Sequence, residues 1–254
     1  MFNKITCLLA VFISSFSMTI SAQDISLLLK DAEVLEKQFN EKNALEKYQQ
    51  LLVSSPANIR LLVKAAELNV LLGVKEKETA AKKLYFESAL SFAKRAIAAD
   101  ANDADANYAM AMASGKLANT ESDTKKIVGY VKDVKSYADK ALAINPQHAK
   151  ANYTLGKWHY EMATLSGLKK MAVKLLFGGM PEGNLDQAVN YLEKCKTLDP
   201  YFISNYLDLG KLYKENQQSA KAIEVLSKLV KLPTRNSVDV LLKKEGAELL
   251  QSLL

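Results

Sequence analysis

The sequence predicts an all-α fold, a solenoid of stacked helical hairpins, on three observations. Apolar residues recur at helical spacing along most of the chain, and no alternating run of strand type interrupts them. Helix breakers are few, 10 Gly and 5 Pro in 254 residues with 49% apolar and 24% charged side chains, so the helices should be long. Similar segments then recur, each running from small and aromatic residues into a turn: "ALEKYQQLLVSSP" (44–56), "ALSFAKRAIAADA" (89–101), "VKSYADKALAINP" (134–146), "AVNYLEKCKTLDP" (188–200) and the shorter "AIEVLSKLVKLP" (222–233).

The first 22 residues stand apart from this pattern. Lys4 is the only charge before Asp24, residues 5–20 form a short apolar core, and "SAQ" places a small-residue cleavage point after Ala22. This is the pattern of a secretory signal peptide, and the apolar stretch is short for a membrane span. Residues 23–254 are then expected to form one repeat domain, periplasmic if the source is Gram-negative and otherwise secreted. Cys7 lies inside the apolar core with no lipobox before it, and its removal leaves Cys195 alone, so no internal disulfide forms. About 230 residues can bury enough surface to be stable without one.

Repeat starts fall near Ile25, Ile59, Ala104, Ala149 and Ile203, at spacings of 34, 45, 45 and 54. The pattern resembles tetratricopeptide repeats. Leu155-Gly156 and Leu209-Gly210 match positions 7 and 8 of that repeat, Tyr213 matches 11, and Ala44, Ala89, Ala188 and Ala222 match 20, with Val134 the exception. A small residue at 8 or 20 lets antiparallel helices approach, and a large one fills the groove between pairs. The excess of 11, 11 and 20 residues over a 34-residue unit is assigned to "KEKETAA" (75–81), "NTESDTKK" (119–126) and the span 165–184, with lengthened helices on either side. A final helix from about Ser237, capped by Asn236 or Ser237, should cover the open apolar end of the stack.

The fourth repeat carries an insert, "LSGLKKMAVKLLFGGMPEG", between its helices at 149–164 and 184–198. Leu168, Met171, Ala172, Leu175 and Leu176 keep helical spacing, and Lys169, Lys170 and Lys174 fall largely on the other side. Phe177 is expected to bury its ring against the helix pair. Gly178 or Gly179 should adopt a positive φ, Pro181 should set the exit, and Asn184 should cap the next helix, with Gln187 three residues on. This region resembles the central signature of the regulator of microtubule dynamics proteins: Gly156, Lys157, Trp158, Tyr160, Glu161, Leu165, Ser166, Phe177, Gly178, Pro181, Asp199 and Pro200 match, and the likeness runs from about residue 130 to the C-terminus. The resemblance implies a protein-binding helical solenoid. Its eukaryotic members are linked to microtubules and organelle membranes, whereas an exported bacterial chain meets no microtubules.

Catalytic constellations are missing from the sequence. No G-x-S-x-G, HExxH, P-loop or G-x-G-x-x-G occurs. His148, in a turn between repeats, and His159, on a helix beside Trp158, read as structural or solvent-facing, and the single Cys195 reads as a core residue. The chain therefore reads as a non-enzyme needing no cofactor or metal. The formal charge is +6, with Arg60, Arg95 and Arg235 the only arginines among 34 basic residues. That balance disfavours nucleic acid, which leans on Arg forks, and reads as a solvated face suited to acidic partners or anionic head groups.

The leading expectation is a protein- or peptide-binding scaffold. Positions 2, 5, 9 and 12 of each first helix should face the concave side: Tyr108 and Met112 in the third repeat, Lys150, Tyr153, Lys157 and Tyr160 in the fourth, Ser204, Leu207, Lys211 and Lys214 in the fifth. Tyrosine with lysine suits an extended, acidic segment. The alternatives are a carrier of lipid or another apolar ligand, its cavity closed by the 165–184 insert, and membrane-surface docking through Lys169, Lys170 and Lys174.

Overall fold

The computed structural model describes residues 22–166, 178 and 182–254. These form eleven α-helices: α1 Ala22–Lys37, α2 Glu41–Ser54, α3 Ile59–Lys75, α4 Thr79–Ala99, α5 Ala104–Ala118, α6 Thr124–Ile144, α7 Ala149–Thr164, α8 Leu185–Leu198, α9 Ile203–Glu215, α10 Ser219–Leu229 and α11 Ser237–Gln251. The described residues contain no strand.

Local chemistry sets the helix starts. Asn40, Asn58, Asp103, Asp123, Asn184 and Asn236 each accept a hydrogen bond from a backbone N–H of the first turn, satisfying donors that the helix leaves unpaired. Asn184 accepts from Gln187 N at 2.8 Å, and Asn236 from Val238 N and Asp239 N at 3.0 Å, both as the sequence predicts. His148 caps α7 in the same way, its Nδ1 accepting from Ala151 N at 3.1 Å.

Packing follows the repeat. Ala44, Ala89, Ala188 and Ala222 are fully buried, and Val134 nearly so. At Gly210 an added Cβ would lie 2.6 Å from Leu226 Cδ2, and at Gly156 it would lie 2.9 Å from Leu192 Cγ. The hairpins α7/α8 and α9/α10 therefore close on a leucine seated over bare backbone. One apolar cluster runs from α1 to the start of α7, and a second joins α8, α9 and α10, with Leu242, Leu249 and Leu250 of α11 packed against it. No described helix is long and apolar enough to cross a membrane.

The extra residues of the second and third repeats lie mainly in helix, which corrects their assignment to connections. Only residues 76–78 join α3 to α4 and residues 119–123 join α5 to α6, and α4 and α6 reach 21 residues each. Neither "KEKETAA" nor "NTESDTKK" has a Gly or Pro to stop a helix, so helix propagates into both.

The first helices α3, α5, α7 and α9 pack successively against one another, whereas no second helix packs against another second helix. Elements closer together on one side place that side inward, so the first helices line the concave surface and the second helices the convex one. The last helix does more than cap the end. α11 packs on α9 and α10 and also touches α3, spanning the concave side.

Candidate functional site

The concave surface is a ladder of paired charges. Glu67 of α3 binds Lys150 of α7 at 2.5 Å, and Glu36 of α1 binds Lys64 of α3 at 2.9 Å. Further along, Asp208 of α9 accepts from Tyr153 Oη at 2.8 Å and Lys157 Nζ at 2.9 Å, and Lys157 also pairs with Glu161 at 3.4 Å. Lys211 pairs with Glu245 of α11 at 2.6 Å, and Lys214 Nζ donates to Ser252 Oγ at 3.2 Å. Arg235 grips Asp199 at 2.9 and 3.0 Å through one guanidinium nitrogen.

Partnership sets the titration of these groups. Burial pushes Glu67 up, but Lys150, Lys64 and a Tyr108 hydrogen bond outweigh it and hold the carboxyl below its ordinary range. Burial pulls Lys150 down and Glu67 more than restores it. Burial, reinforced by Glu67, drives the Tyr108 phenol well above its usual value. The Tyr108 hydroxyl also lies 3.2 Å from Met112 Sδ.

A cleft of about 370 Å³ opens on this surface, lined by Arg60, Val63, Lys64, Glu67, Asp105, Tyr108, His148, Ala149, Lys150 and Asp199. Three successive first helices, α3, α5 and α7, supply most of that lining. Because His148 Nδ1 accepts from Ala151, its Nε2 carries the proton in the neutral ring and donates to Asp105 Oδ1 at 2.9 Å. The hydrogen bond from His148 holds the Asp105 carboxyl below its usual range, and the ring lies 5.1 Å from that of Tyr108.

Of the residues expected on the concave face, Tyr108 and Lys150 line this cleft. Met112 is half-buried beside Tyr108. Tyr153 and Lys157 converge on Asp208 farther along, and burial, reinforced by Glu215, raises the Tyr160 phenol above its usual value. Lys211 and Lys214 are engaged by α11. Leu207 corrects the expectation: it is 2% exposed, inside the C-terminal core cluster, because α11 packs against α9 where a partner would lie. Sequence reasoning passed over Arg60, Val63 and Glu67, although they occupy positions 2, 5 and 9 of the second repeat. From the sequence His148 reads only as a turn residue and Asp199 only as part of the family-like signature, while Asp105 stands in the first turn of α5.

In the insert, Leu175, Leu176, Phe177 and Pro181 lie outside the described residues, as do Lys169, Lys170 and Lys174, so the apolar-carrier and insert-docking expectations fall there too. Gly178 is exposed with φ +72°, as expected.

His159 is buried, with its ring stacked 5.7 Å from Tyr191 and edge-on to Trp158 at 5.1 Å. Burial and the nearby Lys135 lower its pKa. The unfolded chain then binds this proton more readily than the folded one, so stability falls as pH drops below the ordinary value of 6.5. Melting curves of wild type and His159→Gln should separate at pH 7.5 and converge toward pH 5; parallel curves would place the ring in water.

The family model described as Regulator of microtubule dynamics protein 1-3 matches residues 28–254. Regulator of microtubule dynamics protein 1 of Bos taurus is 30% identical over 229 residues, 86% of this chain and 71% of that one. Its Mus musculus namesake is 31% identical over 100 residues, 39% of this chain and 33% of its own. Among solved structures, a thermophilic TPR protein of Thermus thermophilus aligns with TM-score 0.63 at 18% identity, covering 89% of this chain and 99% of its own. PilW, titled a type IV pilus biogenesis factor, aligns with TM-score 0.52 at 17% identity, over 92% of this chain and 91% of its own. The tetratricopeptide-type stack is thus a shared fold.

Proposed function

We propose, from the premise that this chain belongs to the regulator of microtubule dynamics protein family, that it is a non-catalytic scaffold of the cell envelope that holds an extended segment of another protein against its first helices. The observation that carries this reading is the cleft across α3, α5 and α7. It is the part of the concave surface away from α9, where α11 packs, and it offers tyrosine and histidine rings beside Arg60, Lys64 and Lys150. Rigid aromatic surfaces flanked by cations suit a peptide backbone and its acidic side chains.

An acidic segment enters this cleft by exchange. Glu67 already satisfies Lys150, so a partner's carboxylate takes its place at the ammonium group and Glu67 turns to water. Such exchange favours specificity over raw affinity, because a carboxylate bond is broken for each one made. The envelope location rests on the charge-poor apolar run of residues 5–20 and the small residues at 21–22, and fractionation of expressing cells tests it. Microtubule binding has no support in a chain exported to a compartment without microtubules.

The binding test is a screen of a random peptide library on the purified protein, followed by titration of the selected peptides against Arg60→Ala/Lys150→Ala. Loss of these two contacts is expected to weaken binding about tenfold or more, titrated well below the melting temperature, which falls because Lys150→Ala leaves the partly buried Glu67 without the cation that pairs with it. Undiminished affinity in the double variant would place the peptide elsewhere and overturn the assignment of the cleft.

A further inference from the structure

The basic excess of the chain is not spread over its surface. The second helices α2, α4, α6, α8 and α10 hold fifteen Lys or Arg against eight Asp or Glu, whereas the first helices with α11 hold twelve of each. Within the second helices the imbalance lies almost wholly on α4 and α6, where nine basic residues, eight of them lysine, face Glu87, Asp133 and Asp139. The concave side is self-neutralised by its ion pairs, and the convex side at α4 and α6 is not.

Three further features bear on what that face meets. Lys82, Lys94, Lys125, Lys126, Lys132 and Lys140 make no ion pair among the described residues. Neither helix has an acidic residue in its first turn or a basic one in its last, and Lys125 and Lys126 stand in the first turn of α6, where the helix dipole disfavours cations. The Asp123 carboxylate caps α6 by accepting from the backbone N–H groups of Lys125 and Lys126, and Lys140 lies over the Tyr137 ring. Apart from these contacts, the lysine side chains have no hydrogen bond or ion pair among the described residues. Leu84 of α4 is 65% exposed and adjoins Lys82 and Lys83 in sequence, and the Lys83–Glu121 pair at 2.9 Å ties that end of α4 to the connection leading into α6.

We propose that the convex face of α4 and α6 docks the protein on an anionic lipid surface. The lysines are distributed along two helices of 21 residues, each about 31 Å long. Compact, separately hydrated ammonium groups spread over that distance match a field of head groups, whereas recognition of one discrete acidic motif draws on Arg forks. The exposed Leu84 provides an apolar side chain to enter the interface between the lysines. The docked face lies opposite the peptide cleft, so both can be occupied together.

The test is co-sedimentation of the purified chain with vesicles of phosphatidylcholine alone and of phosphatidylcholine mixed three to one with phosphatidylglycerol. Binding to the anionic vesicles only, fading as salt shortens the screening length below about 10 Å, is expected. Lys94→Gln/Lys126→Glu/Lys132→Glu should lose more than tenfold in partition. Lys30→Gln/Lys37→Glu/Lys244→Glu, with the same change of charge on α1 and α11, should lose less than twofold. Melting curves keep unfolding apart from loss of docking. No sedimentation at low salt, or equal loss in the two variants, would overturn the proposal. So would binding of polyglutamate that needs the same lysines while the vesicles stay bare, which would make the face a dock for an acidic protein.

Discussion

Gly183→Ala is expected to lower stability by about 3 kcal/mol or more, a fall in Tm of roughly 6–12 °C. A Cβ built on Gly183 would run into the backbone carbonyl of His159 and the backbone N–H of Ala163, and it would lie 2.6 Å from Met162 Cβ. These atoms belong to the last turns of α7, and helix backbone cannot yield as the end of a side chain can. Two other glycines calibrate the effect. At Gly210 the obstacle is Leu226 Cδ2 at 2.6 Å and Cγ at 2.7 Å, a side chain with room to rotate. At Gly178 nothing lies within 4 Å and only the positive φ resists, which costs about 1–2 kcal/mol. The expected order of damage is Gly183→Ala first, with Gly210→Ala and Gly178→Ala behind it. A Gly183→Ala protein melting with wild type would mean that the exit of the insert does not rest on α7.

That contact shows where sequence reading stops. The hairpins were legible because each rests on a short-range rule: small residues at fixed repeat positions, turns near proline, and Asn or Asp before a helix. Ala188, Gly210 and the Asn184 cap obey those rules and sit where they predict. Gly183 looks like one more turn glycine, because its reason is a helix turn some twenty residues away that only the folded hairpin brings to it.

The candidate site divides in the same way. Tyr108 and Lys150 were legible from helix position alone. Their surroundings were not, since Glu67 lies 83 residues from Lys150 and nothing local marks it as that lysine's partner. Leu207 was misplaced for a related reason: its position is concave in an open stack, and the stack is not open there. The basic face of α4 and α6 could have been counted from the sequence, but only the alternation of inner and outer helices separates it from the neutralised interior.

The closure of that stack rests on Glu41, and the second large effect is expected there. Glu41 begins α2, is 2% exposed, and accepts from Ser237 N at 3.0 Å across 196 residues of chain. Lys75 at the end of α3 holds the other carboxylate oxygen at 3.1 Å. The carboxylate thus sits at the N-terminus of α11, where the helix dipole favours an anion. Burial raises its pKa, but hydrogen bonding from Ser237 and Lys75 outweighs burial and leaves it below the ordinary 4.5. A depressed carboxyl pKa stabilises the fold above its unfolded value, and that stability is lost as pH falls through the folded one. Glu41→Ala removes a buried anion, strands a helix-terminal N–H, and should cost about 2–3 kcal/mol; half-exposed Lys75 keeps this below the loss of a fully buried pair. The damage should be local. Amides in the first turns of α11 should exchange faster while those of α7 and α8 hold, and the radius of gyration should grow as α11 swings from α3. Glu41→Gln keeps an acceptor for Ser237 and should show a smaller loss that no longer deepens below pH 4.5. If α11 exchanged at its wild-type rate in Glu41→Ala, the contacts of α11 with α9 and α10 alone would hold it, and the bond to Glu41 would be incidental to closure.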